Sequence, residues 1–180
     1  MAGVWTNNWK AFRNIMLMGC HHNGFSTVIK RDGTTIANDT DNNLSATTPM
    51  GIFYNDLGGT SAANAILLGT GNTAPAATDY DITTDSDLKT LSVSNGTPDF
   101  DDNTNTMTRV FTVAVQNQGS ANITIREWGI FGTVRSLTYY GSNKGTALLY
   151  RDVLSTAVTL APLQAATLTL TMTLTLTDIL

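Results

Sequence analysis

The sequence predicts an all-β protein, and three features support this fold class. Thr accounts for 31 of the 180 residues, with 16 Asn and 15 Gly beside them, and these residue types favour strands and turns. Glu occurs once and Lys four times, so two main ingredients of long helices are nearly absent. Short apolar runs are separated by Gly, Asn, Asp and Pro at near-regular spacing, which is typical of an antiparallel β-sandwich. We therefore expect a jelly-roll-like sandwich with an irregular N-terminal arm.

The most regular pattern lies between Thr167 and Thr177. Every odd position there is Thr, and every even position is Leu or Met. Because successive side chains of a strand point to opposite faces, the pattern predicts a long strand with one aliphatic face and one face of hydroxyl groups. The aliphatic face must be buried. The Thr face carries none of the charges that protect edge strands, so we expect this strand to be paired on both sides or covered by a neighbouring subunit.

Alternating residues also occupy positions 107–116 and 123–132, with a turn-forming Asn-Gln-Gly-Ser segment between them. This arrangement predicts a β-hairpin with arms of about ten residues. Further short strands are expected over residues 25–30, 50–54, 65–71, 89–93 and 146–153. Polar connections are expected over residues 37–49 and 77–87, with a loop or hairpin tip over 98–105.

The chain length fits one domain with a small appendage. We expect residues 61–180 to form the sandwich and residues 1–60 to form an N-terminal arm or its first strands. Within this arm, Phe12, Ile15 and Met16 have helical spacing, which predicts a short helix. The apolar segment that precedes Gly19 is too short for the core of a signal peptide, so no secretory leader is expected.

The charge pattern argues against several classes of function. The formal net charge is −4 and the basic residues are scattered, so phosphates meet no favourable field and no nucleic-acid partner is expected. No run of 18 apolar residues occurs, so we expect no insertion into a membrane. A single cysteine, Cys20, permits no intramolecular disulfide.

Candidate metal ligands are few. Cys20, His21 and His22 are adjacent, but zinc needs three or four converging ligands and the chain has no other Cys or His. The Asp-rich stretches 79–87 and 99–105 could supply oxygens to calcium, although the second has Thr where a calcium loop needs its Gly. We expect no metal site and no cofactor.

No catalytic constellation stands out, and we expect no enzymatic activity. Glu127 is the sole glutamate, and a glycosidase would need a second carboxylate that the sequence does not select. Pairing with an arginine across the sheet is the favoured role of Glu127. A glycan-cleaving enzyme centred on Glu127 is the disfavoured alternative.

Aromatic side chains suggest a different alternative, a carbohydrate-binding module. Tyr139 and Tyr140 precede Gly141 at a predicted transition from strand to loop, and Trp128 lies in a predicted strand. Such rings can stack on the sugars of a host-surface glycan. Aromatic residues of a sandwich also fill cores and subunit interfaces, so an interface role stays open for the same three residues.

Several segments, taken in order, resemble proteins of tailed-bacteriophage virions. Residues 66–75 and 78–82 are similar to an LGTGxTxPxxxDYxL signature. Residues 125–131 match I-x-E-x-G-[IL]-F. A second motif, L-x-x-R-x-V, is matched by Leu148 or Leu149 together with Arg151 and Val153. The alternating strand that ends at Thr177 completes the set, so the resemblance covers about residues 65–177.

The resemblance implies a non-enzymatic, β-rich structural protein of the virion, assembled in the host cytoplasm. It implies a tail-associated part, such as a fibre, collar or tail-tip component, with a capsid decoration or cement protein as the alternative. Its partners would be further copies of the chain, in a symmetric homo-oligomer, and other virion proteins. Glu127 and Arg151, each within a matching segment, become candidates for a structural ion pair in a partly buried site.

Overall fold

A computed structural model describes residues 3–11, 27–37, 44–47, 66–136 and 143–175. Residues 7–11 are helical, and nearly all other regular structure is β. The strands are β1 (Val4–Trp5), β2 (Thr27–Ile29), β3 (Thr35–Ala37), β4 (Leu44–Thr47), β5 (Ile66–Gly69), β6 (Leu88–Asn95), β7 (Asp99–Asp101), β8 (Thr106–Asn117), β9 (Ile123–Ser136), β10 (Asn143–Leu160) and β11 (Ala165–Thr175). Antiparallel sheets pack against each other, which confirms the predicted all-β sandwich.

Two sheets form the layers of the sandwich. The first has the strand order β1-β10-β9-β4, and β5 also pairs with β9. The second has the order β11-β8-β6, and β7 also pairs with β8. The strands β2 and β3 form a separate hairpin with Gly33 in its turn at φ 78°, in the left-handed region that favours glycine. We refer below to the first sheet and the second sheet.

The hydrophobic core lies between the two sheets. The second sheet contributes alternate residues of β8 and β11, and the first sheet contributes Trp128, Ile130 and Tyr150. The Trp128 ring centre lies 5.1 Å from that of Tyr150 and 6.2 Å from that of Phe111, so aromatic packing joins the layers. Trp128 is only 2% exposed. Its predicted role in stacking on a glycan is therefore wrong, because a sugar cannot reach a ring enclosed by both sheets.

The strand β11 has the periodicity that the sequence predicts. Leu170, Met172 and Leu174 are buried in the core, whereas Thr169 and Thr171 are exposed. Among the described residues, however, β11 pairs with β8 alone. Pairing on both sides is thus not observed among the described residues, and cover by a neighbouring subunit, the other alternative, stays a prediction.

The predicted hairpin of residues 107–116 and 123–132 is also wrong. Both segments are strands, but β8 belongs to the second sheet and β9 to the first. Their alternation shows which face of each strand is buried, and two strands can satisfy it from opposite layers as well as side by side. Asn117 fixes the crossover, because its Nδ2 donates to Leu160 O and Ala121 O at 3.0 and 2.7 Å and its Oδ1 accepts from Gly119 N at 2.8 Å.

Other connections differ less from expectation. The predicted loop 37–49 contains the four-residue strand β4, which pairs antiparallel with β9. The predicted strand 146–153 is the middle of the longer β10, whose register with β9 shifts between Val153 and Val158. The stretch 98–105 is a hairpin tip between β7 and β8, as predicted.

The described part of the N-terminal arm packs on the sandwich. The strand β1 pairs with β10, and Trp5 and Trp9 are buried in the core. The indole Nε1 of Trp5 donates to the backbone oxygen of Thr173 in β11 at 3.0 Å. The boundary at residues 60 and 61 stays a prediction, and the predicted segments 12–16 and 50–54 lie outside the described residues. No helix among the described residues is long and apolar enough to cross a membrane.

Candidate functional site

Glu127 and Arg151 lie on the face of the first sheet that points away from the sandwich core. The register of β9 and β10 sets Glu127 opposite Val153 and Arg151 opposite Gly129. On its other side, β9 pairs with β5, where Gly69 lies opposite Glu127. The connection between β5 and β6, residues 70–87, folds back over this face. Glu127 is 0% exposed and Arg151 is 4% exposed, so the loop excludes water from both charges.

The carboxylate of Glu127 is hydrogen-bonded at both oxygens. Oε1 accepts from the backbone N–H groups of Gly71 and Thr83 at 2.9 and 2.8 Å. Oε2 accepts from Nε of Arg151 at 2.7 Å and lies 2.6 Å from Nη2 of the same guanidinium. A buried carboxylate is tolerated only when it is paired and hydrogen-bonded, and four donors meet that requirement here.

Arg151 extends the network into the loop. Its Nη1 donates to Asp79 Oδ2 at 2.7 Å, and its Nη2 donates to the backbone oxygen and Oγ1 of Thr73 at 3.1 and 3.0 Å. Asp79 Oδ2 also accepts from Ala76 N at 2.8 Å. Burial acts to lower the pKa of Arg151, but the hydrogen bonds and charges of Asp79 and Glu127 outweigh it and raise that pKa above its ordinary value. The guanidinium of Arg151 therefore stays charged at every pH at which the protein is folded.

Two glycines allow the loop to approach the carboxylate. A Cβ added to Gly69 would lie 2.7 Å from Thr83 O and 2.8 Å from Glu127 Oε1, and one added to Gly71 would overlap Oε1. Thr70 N donates to Thr83 O at 2.8 Å, so the two ends of the loop also bond to each other. The Gly-Thr-Gly segment thus serves close packing around an acid, not the binding of a phosphate. We call the network of Glu127, Arg151, Asp79, Gly71 and Thr83 the clasp.

Beside the clasp, the loop is anchored by apolar packing and a second ion pair. Ile82 packs with Phe131 and Leu148. Arg31 Nε donates to Asp81 Oδ1 at 2.7 Å, and its guanidinium carbon lies 4.9 Å from the centre of the Phe131 ring. A polar depression of about 560 Å³ lies between the two ion pairs. Its charged groups already neutralise one another, so the arrangement is suited to holding the loop in place.

The structure brings together two of the residues singled out from the sequence, Glu127 and Arg151, in the contact proposed for them. Trp128 is next to Glu127 in the chain but faces the core. Tyr139 and Tyr140 lie outside the described residues, and so do Cys20, His21 and His22. The glycan and metal hypotheses that rest on those five residues stay predictions.

The Asp-rich stretches do not converge on one point. Asp79 and Asp81 pair with two different arginines, and Asp85 accepts from the backbone N–H of Asp87 at 2.9 Å. In the hairpin tip, Asp101 accepts from Asn103 N at 2.9 Å and from a neighbouring Thr hydroxyl. Within the described ranges, no group of three His, Cys, Asp or Glu residues is placed to hold a metal ion.

The sequence does not identify three members of the clasp in their observed role: Asp79, Gly71 and Thr83. It indicates Asp79 as a possible calcium ligand and as part of the segment 78–82 that resembles virion proteins, and the backbone donors give no signal of their own. The usable signal was the signature around residues 66–82, because a Gly-x-Gly segment followed by an Asp provides both close approach and a second counter-charge. Comparison of the chain with protein-family models, curated proteins and solved structures finds no match.

Proposed function

We propose that this chain is a non-enzymatic structural protein of a tailed-bacteriophage virion, located in the tail as a fibre, collar or tail-tip component. It acts by assembling with copies of itself and by docking on other virion proteins. One observation carries the proposal: the separate sequence segments that resemble virion proteins meet in the clasp.

The clasp joins residues from three sequence segments, each of which resembles virion proteins only weakly by itself. Gly71 lies 56 residues before Glu127, and Arg151 lies 24 residues after it and 72 after Asp79, yet all are joined by hydrogen bonds. Three scattered similarities could arise by coincidence in a Thr- and Asn-rich chain. Residues that depend on one another for charge and space form one structural unit, which is a reason to treat the three similarities as a single one.

The chemistry of the clasp supports a structural role. A general acid or base must reach its substrate and exchange a proton with it. Glu127 is fully buried, and both of its oxygens are engaged by donors of the chain itself. The clasp instead fixes a loop of about 18 residues on the sheet, which gives a stable surface for repeated contacts in an assembly.

The proposal is tested on purified virus particles from the virus or host strain that encodes the chain. Mass spectrometry of density-gradient particles should find the chain in fixed proportion to the major capsid protein. Antibodies raised against the recombinant chain and labelled with gold should decorate the tail in electron micrographs. Label on the shell would transfer the chain to the capsid-decoration alternative. A chain that stays in the soluble lysate and never enters particles would overturn the proposal.

A further inference from the structure

Among the described residues, one edge of the second sheet is open along β11. Asn117 N donates to Gln164 O at 3.0 Å just before β11 begins, and Gln116 is paired with Ala165. Because hydrogen-bonded residues alternate along an antiparallel pair, the even-numbered residues of β11 bond to β8 and the odd-numbered ones point to the other side. The oxygen of Thr173 agrees with this orientation, since it accepts from the indole of Trp5.

The open edge consists of the backbone groups of Thr167, Thr169 and Thr171. Within the described ranges, these N–H and C=O groups have no partner strand. Natural edge strands are protected by charges, prolines, bulges or short length. The 11 residues of β11 include no charged residue, no Pro and no Gly, and the register with β8 has no shift. An edge without protection is a template for another strand.

The sequence of this edge reads the same in both directions. Residues 167–171 are Thr-Leu-Thr-Leu-Thr, centred on Thr169. A second strand of the same sequence can run antiparallel to this edge, related to it by a two-fold axis that passes between the two copies of Thr169. This arrangement would place Thr opposite Thr and Leu opposite Leu. We propose that a second copy of this chain pairs its β11 with this edge, with Thr169 facing Thr169 of the second copy.

The pairing extends the second sheet of both copies into one sheet with the order β6-β8-β11-β11-β8-β6. It forms about six backbone hydrogen bonds, two at each facing pair of outward-pointing threonines. Both faces remain continuous, because the buried Leu side chains adjoin Leu and the exposed Thr side chains adjoin Thr. The two-fold lies at Thr169 and not nearer the end of the strand because Trp5 already bonds to Thr173. This inference rests on the self-association in the proposed function and names its interface.

Introducing a charge beside the proposed two-fold axis tests the pairing. In Thr169→Lys or Thr169→Glu, two like charges meet across the axis, and the dissociation constant of the dimer should rise at least about tenfold in sedimentation velocity. An equimolar mixture of the two variants should recover the dimer, because Lys then faces Glu. The matched control is Thr112→Lys, whose position is exposed and lies directly beside Thr169 on β8, inside the sheet. It should dimerise like the parent chain.

Hydrogen exchange of the parent chain supplies a second readout. The amides of Thr167, Thr169 and Thr171 should exchange slowly at high protein concentration and rapidly after dilution to monomer. If the parent chain self-associates while both Thr169 variants match Thr112→Lys, the edge pairing is wrong and the proposed assembly role stands. If the parent chain is monomeric at every concentration and these amides stay unprotected, both the pairing and the self-association are overturned.

Discussion

Breaking the clasp by one charge should destabilise the whole sandwich. In Glu127→Gln the side chain keeps its size, but its amide NH₂ must face either Arg151 or the backbone donors of Gly71 and Thr83, so donors oppose donors in both orientations. Arg151 would remain buried, and among the described residues Asp79 would be its remaining carboxylate partner. Removing one member of a buried pair typically costs about 3–5 kcal/mol of unfolding free energy. For a domain of this size, that corresponds to a fall in Tm of about 6–20 °C.

The reasoning is sharpest in a double-mutant cycle. Arg151→Met keeps the aliphatic stem and removes the charge, so it should cost a similar 3–5 kcal/mol or so because Glu127 and Asp79 lose their counter-charge. The double variant removes both charges and should cost less than the sum of the single variants, with a coupling energy of about 2 kcal/mol or more. The control is Arg31→Met, whose ion pair with Asp81 is about one-third exposed and should be worth less than about 1 kcal/mol.

Urea unfolding measures these free energies directly. The buried indoles of Trp5, Trp9 and Trp128 report unfolding through their fluorescence, and circular dichroism at the same urea concentrations checks two-state behaviour. All variants are compared at one protein concentration, so that self-association contributes equally. A coupling energy below about 0.5 kcal/mol would mean that Glu127 and Arg151 act independently, and the clasp as described would be refuted.

Substitutions at three further positions test single features of the fold. Gly71→Ala should cost about 2–3 kcal/mol of unfolding free energy, because its methyl group overlaps the buried carboxylate of Glu127. The control is Gly96→Ala, whose Cβ would lie 3.5 Å from the nearest atom and which should change stability by less than about 1 kcal/mol. Equal effects of the two substitutions in urea unfolding would contradict this. Asn117→Ala should cost about 2–4 kcal/mol and Asn117→Asp at least as much, since the new carboxylate faces two carbonyl oxygens. The control Gln116→Ala changes a half-buried position whose side chain makes one exposed hydrogen bond to Leu163 O, and it should cost about 1 kcal/mol or less. Burial raises the pKa of Asp152 above the ordinary value for an aspartate, 3.8, so charging this group opposes folding. Asp152→Asn should therefore raise Tm at neutral pH. The gain should shrink as the pH falls and vanish well below pH 3.8, where the parent side chain is neutral in both folded and unfolded states; a gain that does not depend on pH would contradict the assignment.

The sequence predicts the faces of strands better than their partners. Strict alternation in β8 and β11 identifies the buried side chains, because a strand has a period of two residues and only one face of each can meet the core. The same pattern is compatible with pairing to any other alternating strand. The assignment of β8 and β9 to opposite sheets depends on Asn117 and the few residues after it, and a turn-like Asn-Gln-Gly-Ser segment fits a hairpin equally well.

The clasp was predictable only in part, for a related reason. Glu127 stands out as the sole glutamate of a chain with few charged residues, and Arg151 stands out because it lies in one of the segments that resemble virion proteins. Asp79 belongs to a polar connection with three other Asp residues nearby, and nothing local distinguishes the one that reaches the guanidinium. The backbone donors of Gly71 and Thr83 are common to every residue, so only the folded loop selects them.

The hydrogen bond from Trp5 to Thr173 ties residues 168 positions apart, and this has a consequence for biosynthesis. Trp5 leaves the ribosome long before Thr173 is synthesised, so the hydrogen bond between them cannot form while most of the chain is still being made. The contact between the two sheets at this position therefore forms only at the end of synthesis. Contacts of such sequence separation slow folding and lengthen the time for which apolar surface is exposed. Nascent chains arrested before residue 173 should therefore be captured by chaperones and cleaved by proteases that leave the finished protein intact.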